Sequence, residues 1–346
     1  MPKITVIMPS LNVAPYIEEC ISSVERQTLK DIEIFCIDAG STDGTLEILQ
    51  NHAENDPRIH IIRSSVKSYG YQVNLGIREA QGEYISIVET DDYIADNMLE
   101  ILYSYTLEFA PDYVKSSNNH FMHIGTKRVF VKGSVLPENV NISFGDLINP
   151  KEHAELHRYG SYIWDGIYKK QFLYDNGITL NESSGAAFQD MGFAHWLLAV
   201  ARKAVYIDEP LYQYRNDREG SSTWNKNCLR YPMQEFKRLF EQEVIPKECF
   251  ADHRTDIDVN MMLEFKNEAS KLMLMPDFDL RSENFDMPYE WFKSRIEKEI
   301  SSGIVDYRMF DTETATELNL LLNTPCSFAD LVRARNYIEK GNKERL

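Results

Sequence analysis

An α/β fold, with a mostly parallel sheet flanked by helices and an α-helical extension after it, is predicted by three features of the 346-residue chain. Strand-like and helix-like segments alternate through residues 1–115 in the order of βαβ units. Turn signals such as "AGSTDGT" separate them, and from Asn225 onward apolar residues recur only at helical spacing. "KITVIMP" is the first strand, followed by a helix through Ile17, Ile21 and Val24. "DIEIFCID" is the second, and the turn after it opens a helix through Leu46, Ile48 and Leu49. "RIHIIR" is the third, and "YQVNLGIREAQG" is a short helix with Gly82 as its expected C-cap. "EYISIV" is the fourth, ahead of a helix through Met98, Leu99, Ile101 and Leu102. The extension reads as helices in "MQEFKRLFEQEV", "VNMMLEFKNEASKLMLM", "EWFKSRIEKEI" and "FADLVRARNYIEK". A domain over 1–224, with halves at about 1–115 and 116–224, and a helical region over 225–346 are therefore expected.

Composition narrows the function. A formal net charge of -17 without a cluster of Lys and Arg argues against a nucleic-acid partner, because phosphate neutralisation needs a basic face. No apolar run approaches the length of a membrane span, and "MPKITVIMPS" lacks the pattern of a secretory signal, so a cytoplasmic location is expected. Five scattered cysteines without a C-x-x-C pair fit reduced thiols, and the histidines show no zinc-binding pair.

The chemistry concentrates at strand ends. In "EYISIVETDDYIADN", Glu89, Asp91 and Asp92 follow the fourth strand with no Lys or Arg among them, and Asp38 ends the second. In an open parallel sheet both ends face one crevice, where ligands bind. Carboxylates there suit Mg²⁺ or Mn²⁺, which favours one or two carboxylates together with substrate phosphates. Asp91 and Asp92 are equally readable as acids at the start of the next helix. Neither G-x-G-x-x-G after the first strand nor a P-loop is present, which disfavours a dinucleotide dehydrogenase and a P-loop NTPase.

The blocks "ITVIMPSLNVAPYIEECISSVERQTLKDIEIFCIDAGSTDGTLEIL" and "GYQVNLGIREAQGEYISIVETDDY", and more weakly "WDGIYKKQFL", "FQDMGF" and "DEPLYQYR", resemble the family 2 glycosyltransferases, inverting enzymes of the Rossmann-like GT-A fold. The resemblance covers roughly residues 1–225. It implies a nucleotide-sugar donor, a Mn²⁺ or Mg²⁺ cofactor and a glycan or lipid-linked acceptor. Residue by residue it implies Pro9, Asn12, Asp38, Gly70, Asn74 and Asp91 at the nucleotide-sugar, and Asp92 with Asp91 at the metal, Asp92 being the expected direct ligand. Chains of this kind commonly build capsule, lipopolysaccharide or other surface polysaccharides. Peripheral membrane association and a homodimer stay open.

An acceptor hydroxyl that attacks a sugar must lose its proton to an ionised carboxylate. The expected base is Asp190 in "AAFQDMGFAHWLLAVARK", where the family commonly has Glu-Asp and this chain has Gln189-Asp190; an N-cap is the alternative. His195, nearby, could approach the metal but is expected to pack on the same helix. Trp164 reads as a sugar platform or as core, and Lys169 and Arg215 as acceptor or diphosphate contacts, with Arg218 and a Gly-Ser-Ser-Thr loop after it. Ala39 and Val73 stand where many relatives have an acid and an arginine, so the base should find other contacts, through groups near Pro9 or Gln72. UDP is the expected nucleotide. A nucleotidyltransferase of similar fold and a non-catalytic sugar-nucleotide binder are the other readings, and "PSLNVAPY" lacks the Gly- and basic-rich loop of the former.

Overall fold

The computed structural model describes residues 1–137, 140–159, 162–218, 225–241 and 245–343. The chain divides into two compact units, residues 1–219 and 220–346.

The first unit is built on the predicted parallel strands β1 (Ile4–Ser10), β2 (Ile32–Asp38), β3 (Ile59–Arg63) and β4 (Tyr84–Ile87). β1 and β2 are buried along their whole length, as strands covered on both faces must be. Ser10 stands level with Asp38 and Asp38 with Arg63, and β4 ends three residues earlier, with Ile87 level with Ile7, so four strand ends open on one rim. The helices between them are α1 (Ala14–Glu25), α2 (Thr45–Asn55) and α3 (Tyr69–Glu79). Gly76 lets α3 settle onto β1, since a Cβ there would lie 2.8 Å from the Ile7 side chain. Gly82 is not the C-cap that the sequence led us to expect. α3 ends at Glu79 with Ala80 as its cap, and Gly82 is a packing residue whose Cβ would meet the Thr5 nitrogen at 2.4 Å.

After the two-residue strand β5 (Tyr93–Ile94) and α4 (Met98–Phe109), the chain forms β6 (Tyr113–Ile124), β7 (Lys127–Gly133) and β8 (Leu147–Ile148). β9 (Gly166–Lys169) leads into α5 (Lys170–Asp175), and α6 (Gln189–Val200) into β10 (Ala204–Arg215). The strand order is β3-β2-β1-β4-β9-β6-β10-β5, with β7 paired to β6 and β8 to β10. β9 runs antiparallel to both β4 and β6, whereas β6 and β10 are parallel. α6 is buried all round, including Phe193, Trp196 and Leu197, rather than along a single stripe. All five cysteines are free thiols.

The second unit is helical: α7 (Arg230–Glu241), α8 (Lys247–Met273), α9 (Glu283–Ser301), α10 (Thr312–Asn323) and α11 (Pro325–Lys343). Phe236, Phe265 and Phe292 are completely buried, and Phe265 stacks on Phe292 at 4.9 Å. Among the described residues no helix is long and apolar enough to cross a membrane.

Candidate active site

The turns beyond β1 and β2 are stitched together by short polar side chains. Asp38, 2% exposed, accepts from the backbone N–H groups of Gly40 (2.9 Å) and Ser41 (3.2 Å) and so shapes the turn it ends on. Asn12 holds a left-handed backbone (φ 52°), which Asn tolerates, and its Oδ1 accepts from the Thr42 N–H at 2.9 Å. The Pro9 carbonyl accepts from the Thr90 hydroxyl. Gln72, considered above as a contact for the base, donates instead to the carbonyls of Ser10 (3.1 Å) and Ile37 (2.5 Å). Ala39 and Val73 are both buried.

The acidic turn after β4 is compensated, contrary to its local sequence. Arg218 reaches Asp91, Nη1 to Oδ2 3.0 Å, from the segment after β10. Asp92 is 1% exposed and both its oxygens are occupied: Oδ2 accepts from the Tyr212 hydroxyl (2.9 Å) and Oδ1 from the Arg215 backbone N–H (2.7 Å). The same hydroxyl accepts from the Glu89 N–H at 3.1 Å. Burial and then the neighbouring Asp91 charge push the Asp92 carboxyl well above the usual carboxylate range, against those two hydrogen bonds. The expected direct metal ligand, Asp92, thus has both oxygens engaged within the protein. Asp92 anchors the turn, while the partly exposed Asp91 is the carboxylate that faces outward.

Glu89 receives a hydrogen bond from the Tyr69 hydroxyl. Burial, with the charges of Asp91 and Asp190, raises its carboxyl to about 8, while Tyr69 and Arg218 oppose the rise. Asp190 therefore lies close enough to Glu89 for the two charges to interact. It is not the N-cap of α6. That position belongs to Phe188, which adopts a left-handed backbone (φ 62°) and makes no side-chain cap, while Asp190 accepts from the Met191 N–H at 3.0 Å. Burial raises the Asp190 carboxyl to about 6, and the Met191 N–H and the Lys115 charge act to lower it.

Gly70 and Asn74 work one step away from this cluster. A Cβ at Gly70 would sit 1.9 Å from the Asn181 carbonyl oxygen, and Asn74 both donates to the Leu180 carbonyl (2.9 Å) and accepts from the Leu180 N–H (2.9 Å). They hold against α3 the segment that leads into Asp190. The Gln189 amide then donates to the carbonyls of Ser183 (3.0 Å) and Gly185 (3.2 Å), which closes the loop before the helix.

Three residues considered for ligand contacts have other surroundings. Lys169 pairs with Tyr84, which is itself level with Ile4, so it sits at the amino ends of the parallel strands and away from the crevice. Arg215 is buried by Phe121 (4.7 Å) and Tyr16 (5.0 Å), and its guanidinium bonds the Asp91 carbonyl and Glu19. Trp164 is 4% exposed and stacks on Tyr212 at 4.3 Å, so it belongs to the core, with Tyr162 stacked on it at 4.6 Å. His195 is buried with its ring stacked on His157. The Gly-Ser-Ser-Thr loop at 220–223 lies outside the described residues.

A mostly parallel sheet with acids and an arginine at its carboxyl rim is of the α/β class that binds ligands beyond the strand ends. Comparison with known proteins narrows the class. The model of glycosyl transferase family 2 matches residues 5–139. The chain is 30% identical over 227 residues to the glycosyltransferase GlyG of Streptococcus pneumoniae, a match covering 63% of this chain and 72% of that protein. It is also 30% identical over 217 residues to EpsJ of Bacillus subtilis, described as an uncharacterized glycosyltransferase, covering 63% of this chain and 62% of EpsJ. Residues 1–349 of S. aureus TarS, crystallised with UDP-GlcNAc, share the fold with a TM-score of 0.70 at 17% identity, over 97% of this chain and 92% of that one. The chain belongs to glycosyl transferase family 2 and has its GT-A fold.

Removing the Tyr212 hydroxyl strips one partner from buried Asp92 and one from the Glu89 N–H. Tyr212→Phe is expected to lower stability by about 1–3 kcal/mol, read by urea denaturation of the whole chain; an unchanged midpoint would show that the turn does not depend on this hydroxyl.

Proposed function

We propose that the protein transfers a sugar, with inversion, from a nucleotide-diphosphate-sugar to a hydroxyl of a glycan or lipid-linked acceptor, with UDP as the carrier, in the synthesis of a cell-surface polysaccharide. The observation that carries this reading is that Tyr69 ties the two acidic segments together, its hydroxyl donating to Glu89 after β4 and its N–H to the Gly185 carbonyl in the segment that leads to Asp190. Family membership supports the reaction class. The UDP-GlcNAc bound by TarS supports the choice of nucleotide.

The donor would lie across the rim with its nucleoside over the turns at Asn12 and Asp38 and its diphosphate toward Asp91 and Arg218. Arg218, already 3.0 Å from Asp91, offers a fork that matches phosphate oxygens. The donor set fits a divalent cation. Among the described residues no group of three or more His, Cys, Asp or Glu forms a cage, but Mg²⁺ and Mn²⁺ bind through one or two carboxylates plus substrate phosphates, and Asp91 supplies the accessible one. Bound there, the ion would act as a Lewis acid for the charge that develops on the departing diphosphate.

Asp190 takes the proton of the attacking hydroxyl. A carboxyl held at about 6 is still largely ionised at neutral pH and is a stronger base than an ordinary aspartate. One base on the acceptor side and a leaving group on the other are what a single displacement with inversion requires. Tyr69 and Tyr212 fix Glu89 beside it.

Because the base must be ionised, kcat/KM should rise with pH through an acid limb near 6, the value for the free protein. Asp190→Asn should retain donor binding, lose transfer by about 10²-fold or more and abolish that limb. A variant that keeps its rate per folded molecule would place the base elsewhere. Asp91→Asn should fold normally and lose the Mn²⁺-dependent part of UDP-sugar binding, measured by calorimetry with and without EDTA; equal affinity in the two media for the natural protein would remove the cation from the account.

A further inference from the structure

Asp190 is followed on α6 by Ala194, Leu197 and Leu198, whose spacing of four, seven and eight residues keeps all four on one helix face. The last three border a cavity of about 290 Å³, walled on the other side by β6 and the end of β7. That volume is near the lower end for small-molecule sites, about 300 Å³, and suits a single sugar ring better than an extended chain.

The lining describes the occupant. Its lysine and aspartate, Lys115 and Asp165, pair with each other at 3.1 Å with side chains 10% and 2% exposed, so neither offers an unmatched charge to a ligand. A phosphate or carboxylate buried there would lack a counter-ion. Asn118 is 1% exposed, and its Oδ1 is buried with no hydrogen-bond partner. An orphaned acceptor in a cavity wall calls for a donor, and a hydroxyl is the smallest neutral one. Gly133, opposite Asn118 in the β6–β7 hairpin, keeps that oxygen uncovered, since a Cβ would stand 2.5 Å from it. Tyr162, 37% exposed and backed by Trp164, adds an aromatic face of the kind that packs on the apolar side of a sugar. The cavity lies along the helix face that begins at Asp190.

We propose that this cavity binds a neutral, hydroxyl-rich sugar residue of the acceptor, with Asn118 Oδ1 accepting from one of its hydroxyls. The assignment rests on the transferase reading above and specifies the acceptor's chemistry: an uncharged glycan end rather than a phosphorylated or acidic one.

Saturation-transfer NMR on the full chain tests it, with the methyl glycosides of glucose, galactose and N-acetylglucosamine as neutral probes and glucuronate and glycerol 3-phosphate as anionic ones. At least one neutral glycoside should bind, the anions should not, and Asn118→Ala and Ala194→Phe should each weaken the neutral signal at least fivefold. Should Ala194→Phe melt early, Asn118→Ala, which only removes atoms, decides. No neutral signal, a signal that Asn118→Ala leaves intact, or preference for an anion overturns the assignment. A thermal shift with UDP-sugar and Mn²⁺ on the same sample separates the failures. A donor shift without a glycoside signal removes the cavity assignment alone, and the absence of both removes the transferase reading with it.

Discussion

The Asp92 carboxylate joins the end of β4 to the end of β10 through the Tyr212 hydroxyl and the Arg215 backbone N–H, across 120 and 123 residues of sequence. This junction sets the direction of the turn that carries Glu89 and Asp91. It also places Arg215 where its guanidinium can bond the Asp91 carbonyl, and Arg218 where it meets the Asp91 carboxylate. A buried acid is costly unless its oxygens are hydrogen-bonded. Here one side-chain donor and one backbone donor meet that requirement, and the result is a rigid support for an outward-facing acid beside it.

The rim combines opposing demands. Burial raises Glu89 and Asp190, to about 8 and about 6, while Arg218 and Lys115 act to hold them down. On the proposed reading, a divalent ion bound between these acids and the diphosphate would neutralise both. α3 serves the same arrangement from the opposite side. Gly70 and Asn74 hold the segment before α6 close to it, and the positive φ of Phe188 turns that segment into the helix that bears Asp190.

The first half of the sheet was legible because β1, β2 and β4 are apolar runs bounded by turn residues, and the acid that ends β2 and the acids that follow β4 mark the rim directly. β9 is four residues long and antiparallel, and "GIYK" carries no signal of direction. With that direction unread, Lys169 seemed available to a ligand. In β6, Ser116, Ser117 and Asn118 are all buried polar residues, the first two bonded to Asp165 and Asp208, so the strand lacks an apolar pattern. Asp91 and Asp92 are adjacent acids of one type, and only contacts from β10, the Tyr212 hydroxyl and the Arg215 N–H, mark Asp92 as the anchor. Trp164 was ambiguous for a related reason: the rings that cover it, Tyr212 and Tyr214, come from β10. Asp190 could be singled out because the family resemblance puts an acid at the start of this apolar helix, whereas Lys115, whose charge acts on it, has no local mark.

Anomalous diffraction from crystals grown with UDP and Mn²⁺ tests the central claim, that one acid anchors the turn while its neighbour meets the cation. The account requires a manganese peak at the carboxyl rim within bonding distance of the Asp91 carboxylate and the diphosphate, with Asp92 still hydrogen-bonded to Tyr212 and Arg215. Manganese bound to Asp92, with the Tyr212 contact broken, or UDP bound in the presence of Mn²⁺ with no manganese at the rim, would contradict it.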